Sequence, residues 1–119
     1  DAHKFDEACV QFAKTFPKII REIRAVNPDV KIYADNIYNP AKGIDAFSQV
    51  YSVADVYINR MNRGFYPSDE YVLVDIKKCF DGEKESMVNL SFKGREIDPH
   101  PSEKGHKKIA QMVIKAMER

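Results

Sequence analysis

Tyr71-Val72-Leu73-Val74-Asp75-Ile76 is a nearly continuous apolar run, and its reading decides the fold. It follows the breakers Gly64 and Pro67 and is dominated by β-prone side chains. A run without polar alternation marks a strand covered on both faces, as in a parallel sheet between helical layers. Working upstream, Ile44, Phe47, Val50, Tyr51, Ala54, Tyr57, Ile58 and Met61 recur every three or four residues. That spacing predicts an amphipathic helix from Ile44 to about Asn62, entered from a turn at Asn39-Pro40-Ala41-Lys42-Gly43.

Further upstream, Val30 to Asp35 reads as a second short strand. Before it, Phe5, Ala8, Cys9, Phe12, Phe16, Ile19, Ile20, Ile23 and Val26 fall at helical spacing, with Pro17 predicting a kink or a re-initiation. Asn27-Pro28 ends this helix, because a residue before proline avoids the helical region. Downstream of the opening run, residues from about Asp81 to Pro101 lack periodicity and predict a long loop, a length usually kept for function or motion. Ile109, Met112, Val113, Ala116 and Met117 then predict a last amphipathic helix. Helix, strand, helix, strand, loop, helix is an α/β order. Two strands cannot cover three apolar helix faces, so further strands are expected to complete the sheet.

The chain has 119 residues, the size of one modest domain, with 44% hydrophobic and 31% charged residues. Its 19 basic and 18 acidic residues are interleaved and leave a net charge of +1, which argues against a nucleic-acid partner. No apolar run approaches the roughly 20 residues of a membrane span, and no charged-then-apolar leader opens the sequence. Cys9 and Cys79 have no CxxC partner; two buried free thiols or a single disulfide both fit, and the compartment stays open.

The chemistry-bearing segment is Asp98-Pro99-His100-Pro101-Ser102-Glu103-Lys104-Gly105-His106. Pro101 keeps His100 extended and out of the helix. Ser102 is the predicted N-cap, and Gly105 permits a close approach by a neighbouring element. Residues two apart in an extended stretch project to one side, so the Asp98 carboxylate can approach a ring nitrogen of His100. A carboxylate so placed fixes the tautomer of a histidine base and stabilises its imidazolium. The plainer alternative is a surface-loop histidine beside a turn-forming aspartate.

This segment, followed by a terminal amphipathic helix, resembles the last signature block of the SGNH/GDSL hydrolases. Phe16 to Arg24, Asn27-Pro28 and the stretch through Asn36-Ile37-Tyr38-Asn39-Pro40 resemble that family's later helix and fourth strand, and Tyr71 to Phe80 its fifth strand. The resemblance implies a three-layer α/β/α, flavodoxin-like fold, with residues 1–119 as the C-terminal portion of one hydrolase domain. It implies ester hydrolysis by a Ser-His-Asp triad in which His100 is the base and Asp98 the orienting acid, with Glu96 as second choice. The family often spaces these residues as Asp-x-x-His, whereas Asp98 stands two before His100.

The family's Gly-Asp-Ser block is absent. Ser48, Ser52, Ser68, Ser86, Ser91 and Ser102 all lack that setting, and Asp35-Asn36 lacks the family's glycine context for an oxyanion donor. The chain alone is therefore expected to be inactive and to require a complementing N-terminal segment or a swapped oligomer. The implied substrate is an ester of a lipid, an acetylated sugar or a similar acyl compound. No cofactor is implied. His106 is expected to pack with Ile109 and Val113, and a metal site of Asp98, His100 and His106 has no recognised ligand spacing. The rival reading is a non-catalytic α/β module binding a ligand or partner protein; the acidic cluster of receiver-like domains is missing.

Overall fold

A computed structural model describes residues 1–44, 47–89 and 98–119. Its elements run α1 (Ala2–Val26), β1 (Tyr33–Asp35), α2 (Ser48–Asn62), β2 (Val72–Val74), α3 (Ile76–Asp81) and α4 (Glu103–Met117). The protein is a mixed α/β chain, mostly helical, around two parallel strands. Tyr33 pairs with Val72, Ala34 with Leu73 and Asp35 with Val74. Only the last three residues of the predicted Val30–Asp35 strand form β1, matching the three of β2.

Neighbouring parallel strands place paired residues on the same face. Tyr33 and Val74 join Ile76, Phe80, Met87 and Ala116 in one apolar cluster, closed by Ile109, Met112 and Val113 of α4. Ile32, Ala34 and Tyr71 point the other way and meet Phe12, Phe16 and Ile20 of α1. Helices therefore cover opposite faces of the strand pair. Phe16 packs edge-on against Tyr71 with ring centres 5.1 Å apart, fixing α1 over the sheet.

Three expectations need correction. α1 runs as one helix from Ala2 to Val26, so Pro17 does not re-initiate it. Proline costs the hydrogen bond to the Ala13 carbonyl, but Ala13 is exposed, and Phe16 and Ile20 hold the helix to the core on either side. The apolar run at 71–76 is not one strand covered on both faces. Val74 is 2% exposed, but Val72 and Leu73 are 37% and 40% exposed. Among the described residues no further layer reaches them. Nor does strand continue to Phe80. The Asp75 carboxylate accepts from the Lys78 N–H at 3.0 Å and caps α3, a helix of six residues that directly follows the strand.

A polar hub joins α2 to α3. The Lys77 ammonium lies 2.8 Å from Asp55 and 2.7 Å from Asp81, and the Tyr51 hydroxyl donates to Asp81. Burial alone would lower the Lys77 pKa, but hydrogen bonds to the two carboxylates outweigh it and raise it. The buried Asn39 closes the hub, donating to the Tyr51 carbonyl while its own oxygen accepts from the Ala41 N–H.

The loop ahead of α4 is docked by a close contact at Gly105. A Cβ at that position would stand 2.1 Å from the Met87 carbonyl oxygen. Alanine in a helix normally gains about 1 kcal/mol over glycine. Here overpacking, at about 1–3 kcal/mol or more, decides the sign. Gly105→Ala is therefore expected to lower stability, read as a lower urea midpoint with unchanged slope. An unchanged or raised midpoint would contradict the close approach.

Candidate active site

Ser102 caps α4 as the sequence predicts, its hydroxyl accepting from the Gly105 N–H at 3.1 Å. The cap fixes where the helix starts and so where His100 leaves it. Just upstream, Val88 and Pro101 form an isolated antiparallel bridge. The Ser102 N–H donates to the Met87 carbonyl and the Asn89 N–H to the His100 carbonyl, both at 2.9 Å. His100 thus stands on a short two-stranded ledge laid against the first turn of α4.

The expected pairing of Asp98 with an imidazole nitrogen is present. His100 Nδ1 lies 2.6 Å from Asp98 Oδ1, and the His100 backbone N–H donates to the same oxygen at 3.0 Å. The second carboxylate oxygen accepts from the Asn89 amide at 3.3 Å. These bonds favour the ionised form, so the carboxyl pKa falls below its ordinary value, the backbone N–H contributing most and the ring next. A charged Asp98 holds the proton on Nδ1 and leaves Nε2 a lone pair. Nε2 has no partner among the described residues, and the side chain is 82% exposed. The ring is held by hydrogen bonds rather than by packing.

The other residues weighed in the sequence fall elsewhere. Glu96, with Ser91, lies outside the described residues. His106 is exposed on α4 rather than packed. The helix buries Gly105 and Ala116 and half-buries Ile109 and Met112, a stripe on which His106 is one step off. Among the described residues no three His, Cys, Asp or Glu side chains group as metal ligands. His3 is exposed beside Glu7 at 3.1 Å. Cys9 and Cys79 are free and only half-buried, and burial pushes the Cys79 thiol up.

Ser52, Ser68 and Ser86, like Ser102, bond the backbone. Ser68 and Ser86 accept from the N–H groups of Glu70 and Val88, and Ser52 donates to the Ser48 carbonyl. Asn36 is equally engaged, donating to Asp75 at 2.7 Å and accepting from the Lys77 N–H at 2.9 Å, which ties the end of β1 to α3. Comparison with family models, with curated proteins and with solved structures finds no match.

A contact invisible to sequence reasoning is made by Tyr38. Its hydroxyl donates to the Pro99 carbonyl at 2.7 Å, and its ring packs on Phe80 with centres 4.9 Å apart. Tyr38 follows the end of β1, so this bond brings the His100 loop to the carboxyl end of the strand pair. That is the end where open α/β sheets usually bind ligands.

The carboxyl carbon of Asp98, followed by NMR across acid pH, checks the electrostatics. Its midpoint is expected below the ordinary aspartate value. Contacts that need the charged form are therefore present above that value and are lost as pH falls through the lowered one. His100→Ala removes the ring but keeps the backbone donor, so the midpoint should rise only part of the way. A midpoint at or above the ordinary value in the unaltered protein would contradict the geometry.

Proposed function

We propose that this chain is the C-terminal portion of an SGNH/GDSL-type serine ester hydrolase with a flavodoxin-like sheet, supplying the base His100 and its orienting acid Asp98. The observation that carries the reading is the 2.6 Å contact from Nδ1 to the carboxylate, with Nε2 left open among the described residues. In the reaction, a serine hydroxyl from outside these residues attacks an ester carbonyl. His100 Nε2 takes its proton and then gives it to the leaving alcohol, while Asp98 stabilises the imidazolium between the two steps. Donors outside these residues hold the oxyanion. The substrate is an ester of a lipid, an acetylated sugar or a related acyl compound, and no cofactor takes part.

The strand pair supports a completing segment or a swapped copy. Among the described residues each strand has one unpaired edge, and Val72 and Leu73 are partly exposed along it. Unpaired edges beside apolar side chains invite another strand. On α2, Val50, Val53 and Val56 are each more than half exposed. No helix is long and apolar enough to cross a membrane among the described residues.

One observation favours a second reading, a non-catalytic α/β module. The His100 side chain is 82% exposed, whereas a general base normally works inside a cleft. Hydrolysis of a short chromogenic ester separates the two. The full polypeptide containing this chain is expected to turn the ester over, and the 119 residues alone are not. His100→Ala should lower kcat by at least about 10³-fold, and Asp98→Asn by roughly 10²–10⁴-fold. Turnover that survives His100→Ala, or none by the full polypeptide, would overturn the hydrolase reading.

A further inference from the structure

Three consecutive residues carry the candidate site, and each is held by a different bond from outside the turn. Asp98 Oδ2 accepts from the Asn89 side-chain amide, the Pro99 carbonyl from the Tyr38 hydroxyl, and the His100 carbonyl from the Asn89 N–H. The imidazole is 82% exposed, so packing does little to restrict its rotation. Orientation must then come from hydrogen bonds to the turn itself. Both braces have firm footing. The Tyr38 ring rests on Phe80, which is 1% exposed, and Asn89 follows the buried pair Met87 and Val88.

We infer that Tyr38 and Asn89 are positioning residues, bracing the Asp98–Pro99–His100 turn from two sides so that His100 keeps its proton on Nδ1 and aims Nε2 outward. Pro99 has no N–H, so its carbonyl is that residue's one backbone hydrogen-bonding group, and Tyr38 occupies it. Neither brace touches the position of a reacting group. Burial, with the Asp98 charge adding to it, raises the Tyr38 pKa, so its hydroxyl keeps its proton and remains a donor at neutral pH. Asn89 uses its side chain on Oδ2 and so leaves Oδ1 to the ring. The charged groups belonging to the turn are Asp98 and His100, and the bracing groups are a phenol and an amide that carry no charge there.

This inference rests on His100 being the base, but its test needs no turnover. Nitrogen-15 shifts of the neutral His100 ring in the unaltered chain are expected to show the Nδ1–H tautomer in excess. Tyr38→Phe keeps the ring on Phe80 and removes only the hydroxyl; Asn89→Ala removes the amide but keeps the backbone donor. Each is expected to lower the ratio of Nδ1–H to Nε2–H by about fivefold, the worth of one ordinary hydrogen bond, with the far-ultraviolet spectrum unchanged. If either folded variant keeps the original ratio, the inference is overturned, and should one fail to fold the other decides. Ester hydrolysis that depends on His100 while the ratio stays fixed would remove the braces alone. A shifted ratio without hydrolysis would leave the braces standing and remove the hydrolase.

Discussion

The approach of the Met87 carbonyl to Gly105 governs where everything else near His100 can lie. Only a residue without a Cβ lets the 87–89 segment rest on the first turn of α4. From that contact follow the bridge of Val88 to Pro101 and the bond from Ser102 to Met87. The same docking puts Asn89 beside Asp98 and His100. A bulkier residue at 105 would lift the ledge and shift Met87 in the core under α4, and the acid and base would lose their common support. The constraint is steric, so salt and pH will not relieve it.

The Asp98–His100 pair belongs to a different regime. Both groups are solvent-exposed to a large degree, where water and salt screen charges strongly and an ion pair adds little to stability. Its value is directional: one carboxylate oxygen binds both the ring and the backbone N–H of the same residue, which limits the ring to few orientations. Among the described residues the outer strand edges and the Val50, Val53 and Val56 stripe on α2 are exposed as well. A second body of protein docked on the sheet would strengthen the pair by lowering the local dielectric. In the hydrolase reading, site and sheet are completed by the same event.

Much of this was legible in the sequence, for physical reasons that differ by element. α1 and α4 could be read because a helix that buries one stripe must repeat its apolar residues at 3.6, and Ser102 could be read as a cap because its geometry is local. The Asp98 pairing was legible because alternation along an extended chain is equally local. α3 was not, since six residues are too few to show a helical repeat, and only Asp75, as an N-cap, signals the helix. The continuity of α1 through Pro17 depends on packing by Phe16 and Ile20, which no local rule contains. Tyr38 and Asn89 were missed because their partners lie far away in the chain, and His106 was misplaced because one step around a helix separates packed from exposed.

The central claim is that His100 offers Nε2 to a serine lying outside these residues. A structure of the full polypeptide after reaction with a phosphonate ester tests it most directly. The account predicts a covalent adduct on a serine outside the 119 residues, with an adduct oxygen about 3 Å from His100 Nε2. No adduct, or an adduct on a serine far from that nitrogen, would contradict it.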